Sequence, residues 1–535
     1  MLSAVRAVRT VLTVCVTMIL CAGVSGAKYS HAQASSSQSN PSQSNPSRSG
    51  PIVSTEDPAL WYFNSLLSRG YLSDLDQGVF PIRERDLIEA LEHSSAPQSS
   101  SESEWIRLVR TRLHDFTNSK SAIGIRVRPG VMVASQERSE LLRTELNPNE
   151  AIFSQVAFES WFTAGNWTAA WGWRHDRYYD MDPDGFDTAH RWFIRPENAY
   201  LSYDGTYASV LFGRTTQHWG TYGQPGLLLS QNPRPMDHIS FRLGTSRLNL
   251  RTSLSELDSI TGDGRFTGVA GDDSVSTGSE RRYLAVHRLS FARPGKWTVG
   301  LMHSILYSGP NSNFSLKFAN PFHLALLSID ERPKNEENNG LLGVFVQLQR
   351  PSTVFSAQLT LDDFDLLNGN EPASISASAQ IYQAQLAADI DASLGVTVVT
   401  ARTYNADQPE GKYIYLGRGI ATQFSDYVHV WTSVHWMRFS GLRVSPRIDV
   451  LFQGEQDIRM PFPRHDAADL ILDGVVERTI RPSLQLAGLL SNNIDVRLNA
   501  GWNISTNSQH IENSSGSDFV GSASISYRIN WSRDL

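Results

Sequence analysis

The side chains best equipped for chemistry cluster in one stretch of the chain, Gly213-Arg214-Thr215-Thr216-Gln217-His218-Trp219-Gly220 and then Gly226-Leu227-Leu228-Leu229-Ser230-Gln231-Asn232-Pro233-Arg234-Pro235. Arg214, Gln217, His218, Trp219, Asn232 and Arg234 supply guanidinium forks, amides, an imidazole and an indole. Such groups hydrogen-bond and grip carboxylates; none of them is a nucleophile set beside a base. A second stretch, Asp180-Met181-Asp182-Pro183-Asp184-Gly185, reads like the start of a calcium loop, and Asp180, Asp182 and Asp184 converging on the Gly turn could hold one Ca2+. Position twelve of that frame is Arg191 rather than a bidentate glutamate, which excludes an EF-hand and leaves a solvated acidic loop as the plainer reading. The sequence has no nucleophile elbow, zincin spacing or phosphate-cradling glycine loop, so no catalytic residue is assigned and the chain is read as a non-enzyme.

The elements that position these loops are written in the hydrophobic period. From Ile123 to the C-terminus apolar residues recur every second position, as strands with one apolar and one wet face require. Ile494, Val496, Leu498, Ala500, Trp502 and Ile504 alternate with Asp495, Arg497, Asn499 and Asn503. Phe519, Ala523, Ile525, Tyr527, Ile529 and Trp531 are set against Ser522, Ser524, Ser526, Arg528 and Asn530. The same alternation covers 246–257 and 442–453, and counting such segments predicts about eighteen strands, among them 393–404 and 420–438. Short turns such as Gly165-Asn166, Gly244-Thr245 and Ser440-Gly441 alternate with long connections such as 179–196, 215–236, 258–280, 308–338 and 454–474. That asymmetry predicts an all-β transmembrane fold over 119–535, an antiparallel outer-membrane β-barrel with short periplasmic turns and long outer loops. Trp161, Trp167, Tyr200, Trp297, Tyr307, Trp431, Trp436 and Trp531 stand where interfacial aromatic girdles are expected.

Ahead of the barrel, Arg6 and Arg9 precede an apolar run from Val11 to Val24, which reads as a Sec signal peptide over 1–34 with cleavage after Ala27 or Ala34. Both cysteines, Cys15 and Cys21, fall there, leaving the exported chain without a disulfide or a thiolate metal site. Residues 35–56, rich in Ser, Asn, Gln and Pro, read as a disordered linker. Between 57 and 118 the period becomes helical, with Leu60, Phe63 and Leu67, then 82–91, then Trp105, Leu108, Val109, Leu113 and Phe116 on one face behind a Ser101/Glu104 capping box. This predicts a compact periplasmic segment of about three helices. The formal charge of −7 is spread rather than blocked, which argues against a nucleic-acid partner. Only six of the 47 basic residues are lysine, a bias that suits anionic sugar or lipid head groups, although genome composition explains it equally well.

With these residues in view, the run "GRTTQHWGTYGQPGLLLSQNPRP" resembles the Wzi family of capsule-assembly outer-membrane proteins, which carry a Gly-Arg, Trp-Gly, Leu-Leu-Leu-Ser-x-Asn-x-Arg-Pro succession. "YFNSLLSRGYLSDLDQGVFPIRERDLIEAL" resembles that family's N-terminal helical segment and "NNGLLGVFVQLQRPSTVFSAQLTLDDFD" its mid-barrel hairpin. Where the family often has Trp-Gly-Pro-Gly, this chain has Trp219-Gly220-Thr221-Tyr222-Gly223. The resemblance implies an eighteen-stranded, plugged barrel that binds capsular or related polysaccharide as a lectin, without catalysis. On that reading Arg214, Gln217, His218, Trp219, Asn232 and Arg234 either touch the sugar or fold the loop into the lumen as a plug. Other implied partners are outer-membrane lipid or lipopolysaccharide, and capsule-export machinery through the helical segment. No cofactor is implied beyond the candidate Ca2+. The competing reading is a porin whose inward Arg247, Arg251, Arg443, Arg447, Arg497 and Arg528 select anionic solutes. His287-Arg288-Leu289-Ser290 is a distant lookalike of a lipid-facing phospholipase pair.

Overall fold

The computed structural model describes residues 49–55, 57–94, 96–113, 121–135, 141, 152–177, 194–260, 281–309, 313–323, 337–362, 374–387, 389–437, 441–463 and 469–535. The signal peptide read over 1–34, most of the linker, and Asp180, Asp182 and Asp184 lie outside these residues.

Eighteen antiparallel strands close into one barrel, each paired with its neighbours in sequence. They are β1 Ser121–Ala134, β2 Ile152–Ala164, β3 Trp167–Asp176, β4 Ile194–Asp204, β5 Ala208–Thr215, β6 Met236–Gly244, β7 Leu248–Leu257, β8 Arg281–Arg293 and β9 Trp297–Gly309. The second half is β10 Glu337–Arg350, β11 Thr353–Asp362, β12 Ser374–Ala387, β13 Ile390–Val399, β14 Tyr427–Trp436, β15 Leu442–Gln453, β16 Glu477–Leu489, β17 Ile494–Thr506 and β18 Ser515–Tyr527. The last strand breaks at Arg528 and resumes over Ile529–Asp534, and both pieces pair with β1 to close the ring. Closure satisfies every strand edge, which a hydrocarbon environment demands. The alternation sorts as the period requires: Phe212, Leu243, Ile448, Ile504, Phe519 and Trp531 are exposed outward, whereas Asn249, Asp449, Asp495 and Asn503 are buried inward. Among the described residues no helix is long and apolar enough to cross a membrane, so the strands carry the crossing.

Two strand limits differ from expectation. The reading over 393–404 ends at Val399 and that over 420–438 begins only at Tyr427, because the intervening chain leaves the wall and enters the lumen. The girdle also splits by parity. Trp167, Trp297, Trp436 and Trp531 are exposed outward, but Trp161, Tyr200 and Trp431 share the parity of the lumen-facing residues and are buried.

The N-terminal segment occupies the short-turn end of the lumen. Inside the stretch read as linker, Ser49 N donates to Gly165 O at 3.1 Å, and Ile52–Val53 pairs with Ile82–Arg83. Buried apolar residues such as Ile52 and Val53 and bonds to the wall fix residues 49–55, a packing that composition does not reveal. Three helices follow, α1 Phe63–Ser68, α2 Glu84–His93 and α3 Ser100–Arg112. The cap of α3 is Ser99, which accepts from Glu102 N, one residue pair earlier than the Ser101/Glu104 box. Trp105, Leu108 and Val109 bury one face of α3 against Tyr62, Leu66 and the wall residues Ala487 and Leu489.

Candidate functional site

The signature loop leaves the wall where β5 ends at Thr215 and returns at Met236, so its residues 216–235 must lie in the lumen or above it. They lie in it. His218 and Phe80 exchange backbone bonds (His218 N to Phe80 O 3.0 Å, Phe80 N to His218 O 2.8 Å), joining the loop to the N-terminal segment. His218 Nε2 donates to Thr221 O at 3.2 Å, and burial pulls its imidazole down to about 4. Tyr222 packs its ring on Phe63 and Phe80. Gln217 Nε2 donates to Ser253 Oγ at 2.9 Å, and Trp219 is buried with Leu228, Leu229 and Met236.

Leu227, Leu228 and Leu229 are wholly buried and form an apolar spine whose backbone must still be satisfied. A second inserted segment and the wall do this. Tyr404 Oη donates to Leu227 O at 2.6 Å, Tyr413 Oη to Leu228 O at 2.8 Å, and Thr360 Oγ1 to Leu227 O at 3.2 Å. Leu227 N donates to Gln358 Oε1 at 3.2 Å. Asn232 closes the joint, its Nδ2 donating to Gly419 O at 2.7 Å and to Gln423 Oε1 at 2.9 Å.

That second segment, residues 400–426 between β13 and β14, is nearly all buried and carries its own hairpin, Ile414–Tyr415 against Arg418–Gly419. Arg282 of β8 grips it from the wall, donating to the carbonyls of Glu410 (2.8 Å), Lys412 (2.6 Å) and Ile414 (3.2 Å). Lys412 is fully buried, and its Nζ donates to Asn405 Oδ1, Met460 O (2.7 Å) and Ile458 O (3.2 Å). Burial pulls that amine down to about 7, against the pull of Asp457 and Asp407.

The helical segment is locked to the wall by charge. Asp391 of β13 accepts from Arg69 Nη1 and Nη2 (2.8 Å each), Tyr382 Oη (2.9 Å) and Gln385 N (2.9 Å), so a buried carboxylate has all its lone pairs used. Arg288 of β8 donates to Gly78 O and to Gln77 O (2.9 Å). Gly78 has φ +70°, and a Cβ there would stand 2.5 Å from the Phe345 ring, so only glycine passes this point.

One of the six sequence-picked residues stands apart from the plug. Arg214 has the parity of outward Phe212 and forms a bidentate pair with Asp237 across β5 and β6, Nε to Oδ1 at 2.9 Å, on the outer side of the wall. Arg234 is half-buried and acts electrostatically on Tyr415. Sequence reading missed Arg69, Asp391, Arg282, Tyr404, Tyr413 and Lys412. Among the described residues, no group of three or more His, Cys, Asp or Glu is placed to hold a metal ion. His287 and Ser290 face opposite sides of β8, since Ser290 accepts from lumenal Arg288 while His287 bonds a segment outside the barrel, so they cannot act as a pair.

Polar space remains between the plug and the wall of β4 to β7, where a cavity of about 410 Å3 is lined by Asp76, Asp86, Glu89, Arg83, Arg242 and Arg251. Another of about 110 Å3 lies along β1 to β4, lined by Asp57, Arg112, Arg126, Arg128, Glu159 and Arg528.

The chain is similar to Wzi of Escherichia coli, described as an outer-membrane protein involved in group 1 capsule assembly and a carbohydrate-binding β-barrel, with a TM-score of 0.59 and 14% identity over 90% of this chain and 99% of that one. Weaker likenesses are to OccK11 (OpdR) of Pseudomonas aeruginosa (TM-score 0.41, 12% identity, 77% and 96% covered) and to the outer-membrane channel DcaP of Acinetobacter baumannii (TM-score 0.38, 11% identity, 78% and 99% covered). No family model matches the chain, and no curated protein matches it. The fold is that of an outer-membrane β-barrel.

Proposed function

We propose that this protein is a plugged outer-membrane barrel of the Wzi kind that binds and anchors capsular or related polysaccharide at the cell surface. The observation that carries this reading is the interlocked lumen. Residues 49–113, 216–235 and 400–426 hydrogen-bond to one another and to the wall across the barrel's interior, a design suited to holding a ligand outside rather than passing one through. The likeness to Wzi over nearly the whole chain and the Trp-Gly and Leu-Leu-Leu-Ser-x-Asn-x-Arg-Pro succession support it. On this reading the long-loop end is extracellular and the helices face the periplasm, where the exposed ends of α2 and α3 are the place for export machinery. His218, Trp219, Gln217 and Asn232 then serve binding by fixing the plug beneath the outer loops, not by touching sugar.

A porin for small anionic solutes is the second reading, and one observation favours it: the arginine-lined cavities along β1 to β7. Two measurements on the purified full chain separate the two. Beads carrying an acidic capsular polysaccharide should retain the protein at least tenfold over dextran beads, and planar bilayers should show no steady large steps. Equal retention on both beads overturns the lectin reading, and steady anion-selective steps would establish the porin.

A further inference from the structure

The outward face of the barrel carries a polar row among its apolar side chains. Register places Thr252 of β7, His287 of β8 and His303 of β9 side by side, all three with the lipid-facing parity of Leu248, Phe291 and Leu301. His303 is the seventh of the thirteen residues of β9, so the row crosses the wall at half its height. Imidazoles at that depth would be costly if bare to hydrocarbon. They are not bare: Thr252, His287 and His303 are buried, as are Leu254, Ala285, Ile305 and Tyr307 above them, while Leu301 and Phe291 below are exposed.

The cover is residues 313–323, which follow β9 and fold down over the outside of the wall, with one helical turn at Leu316–Ala319. Phe318 packs its ring 4.6 Å from that of Tyr307, and Ser315 N donates to Tyr307 Oη at 3.2 Å. His287 is the staple. Thr252 Oγ1 stands 3.1 Å from its Nδ1 and Phe318 O 2.9 Å from its Nε2. The neutral imidazole with its proton on Nε2 satisfies both, donating to the Phe318 carbonyl and accepting the threonine hydroxyl.

The other side of this strap is as apolar as the wall it hides. Leu316 and Phe322 are each 80% exposed and Phe314 50%, and they continue the outward belt of Phe241, Leu301 and Val344. A water-facing loop gains nothing by presenting three large apolar side chains, whereas one lying among acyl chains requires them. We propose that residues 313–323 form a membrane-embedded strap, pinned on the barrel's outer wall by His287, whose partner is the acyl-chain layer of the surrounding lipid.

The test uses the full chain with Cys15 and Cys21 replaced by serine, reconstituted in phosphatidylcholine vesicles with or without bromine on the acyl chains. A single cysteine is introduced and labelled with bimane. Leu316→Cys and Phe322→Cys should lose half or more of their fluorescence to the brominated chains, matching Leu301→Cys on the wall, and resist aqueous iodide. Ile511→Cys, on a connection between strands at the long-loop end, supplies the opposite pattern. Adding His287→Phe should cut the bromine quenching of Leu316→Cys at least twofold, the wall control staying unchanged. Iodide quenching of both strap probes without bromine quenching would overturn the proposal. So would disulfide cross-linking between two Leu316→Cys chains with loss of bromine quenching, which would make a second copy the partner.

Discussion

The two halves of the barrel wall hold the plug by different chemistry. From β10 to β13 the inward side chains are mostly neutral, among them Gln347, Gln349, Ser356, Gln358, Thr360, Ser376, Ser378, Gln380, Ser393 and Thr397, and nearly all are buried. The space left there between α1 and Gln347, Ser356, Gln380 and Tyr382 is about 10 Å3, no more than one water needs. From β18 through β7 the inward side chains include many charged ones, Arg126, Glu159, Arg174, Asp176, Arg242, Arg251 and Arg528, and the cavities of about 410 and 110 Å3 lie against them. The cavity of about 360 Å3 on the neutral side sits at the short-turn rim beside Arg69, Gln349, Ser352 and Gln385. Neutral groups can be dehydrated at modest cost if each finds a partner, so that wall can close down on the plug. Guanidinium and carboxylate groups keep a large desolvation penalty even when paired, and the packing stays open around them. The neutral wall therefore seals and the charged wall tethers.

Removing the seal should have the largest effect. Replacing residues 402–424 by a short Gly-Ser turn strips the Tyr404 and Tyr413 bonds from the Leu227–Leu229 spine, takes from Arg282 the carbonyls it grips and empties the lumen against β8 to β14. Planar bilayers should then show steady conductance steps larger than any from the natural chain. A deletion variant that folds and stays silent would show that the charged half alone blocks the pore.

Smaller, and aimed at the contrast itself, is the removal of one ion-pair partner on each wall. Asp391→Ala takes the shared carboxylate from Arg69, Tyr382 and Gln385 while Arg69 keeps Glu102, and should cost about 3 kcal/mol. Arg251→Ala leaves Asp76 facing the large cavity, where water replaces the guanidinium, and should cost about 1 kcal/mol or less. Urea midpoints read both. Equal losses would mean that the cavities are not wet and that the division between the walls is one of sequence only.

How far the sequence revealed this arrangement follows the same division of environments. Lipid imposes one rule on every strand, apolar outward, so Leu442–Gln453 and Ile494–Thr506 emerge from the period-two pattern with their ends correct. The lumen imposes no such rule. Residues 400–426 mix Tyr404, Lys412, Tyr413 and Asp426 without a period because each side chain answers to a particular partner, and their ends were absorbed into neighbouring strands. One signal was present: a strand over 420–438 is nineteen residues long, about twice what a tilted barrel strand needs, so part of it had to be something else. The signature loop was legible as a motif, but not which of its residues turn inward. Arg214 falls on the outer parity only once β5 is known to run through Thr215.

The pH dependence of stability tests whether the seal responds to protons. Burial holds His218 at about 4, below the ordinary value of 6.5, so the folded chain keeps it neutral in a range where the unfolded chain protonates it. Between those values the unfolded state binds more protons, and stability falls as pH drops from 6.5 toward 4. At pH 5 the loss reaches about 2 kcal/mol relative to pH 7.5. His218→Gln keeps a hydrogen-bonding group beside Thr221 O and removes the titration, so the difference between the two chains' urea midpoints should shift in the variant's favour as pH falls from 7.5 to 5. A difference that stays flat over that range would mean water reaches the imidazole, and the joint between the signature loop and Phe80 would then belong with the charged, open half of the barrel rather than with its seal.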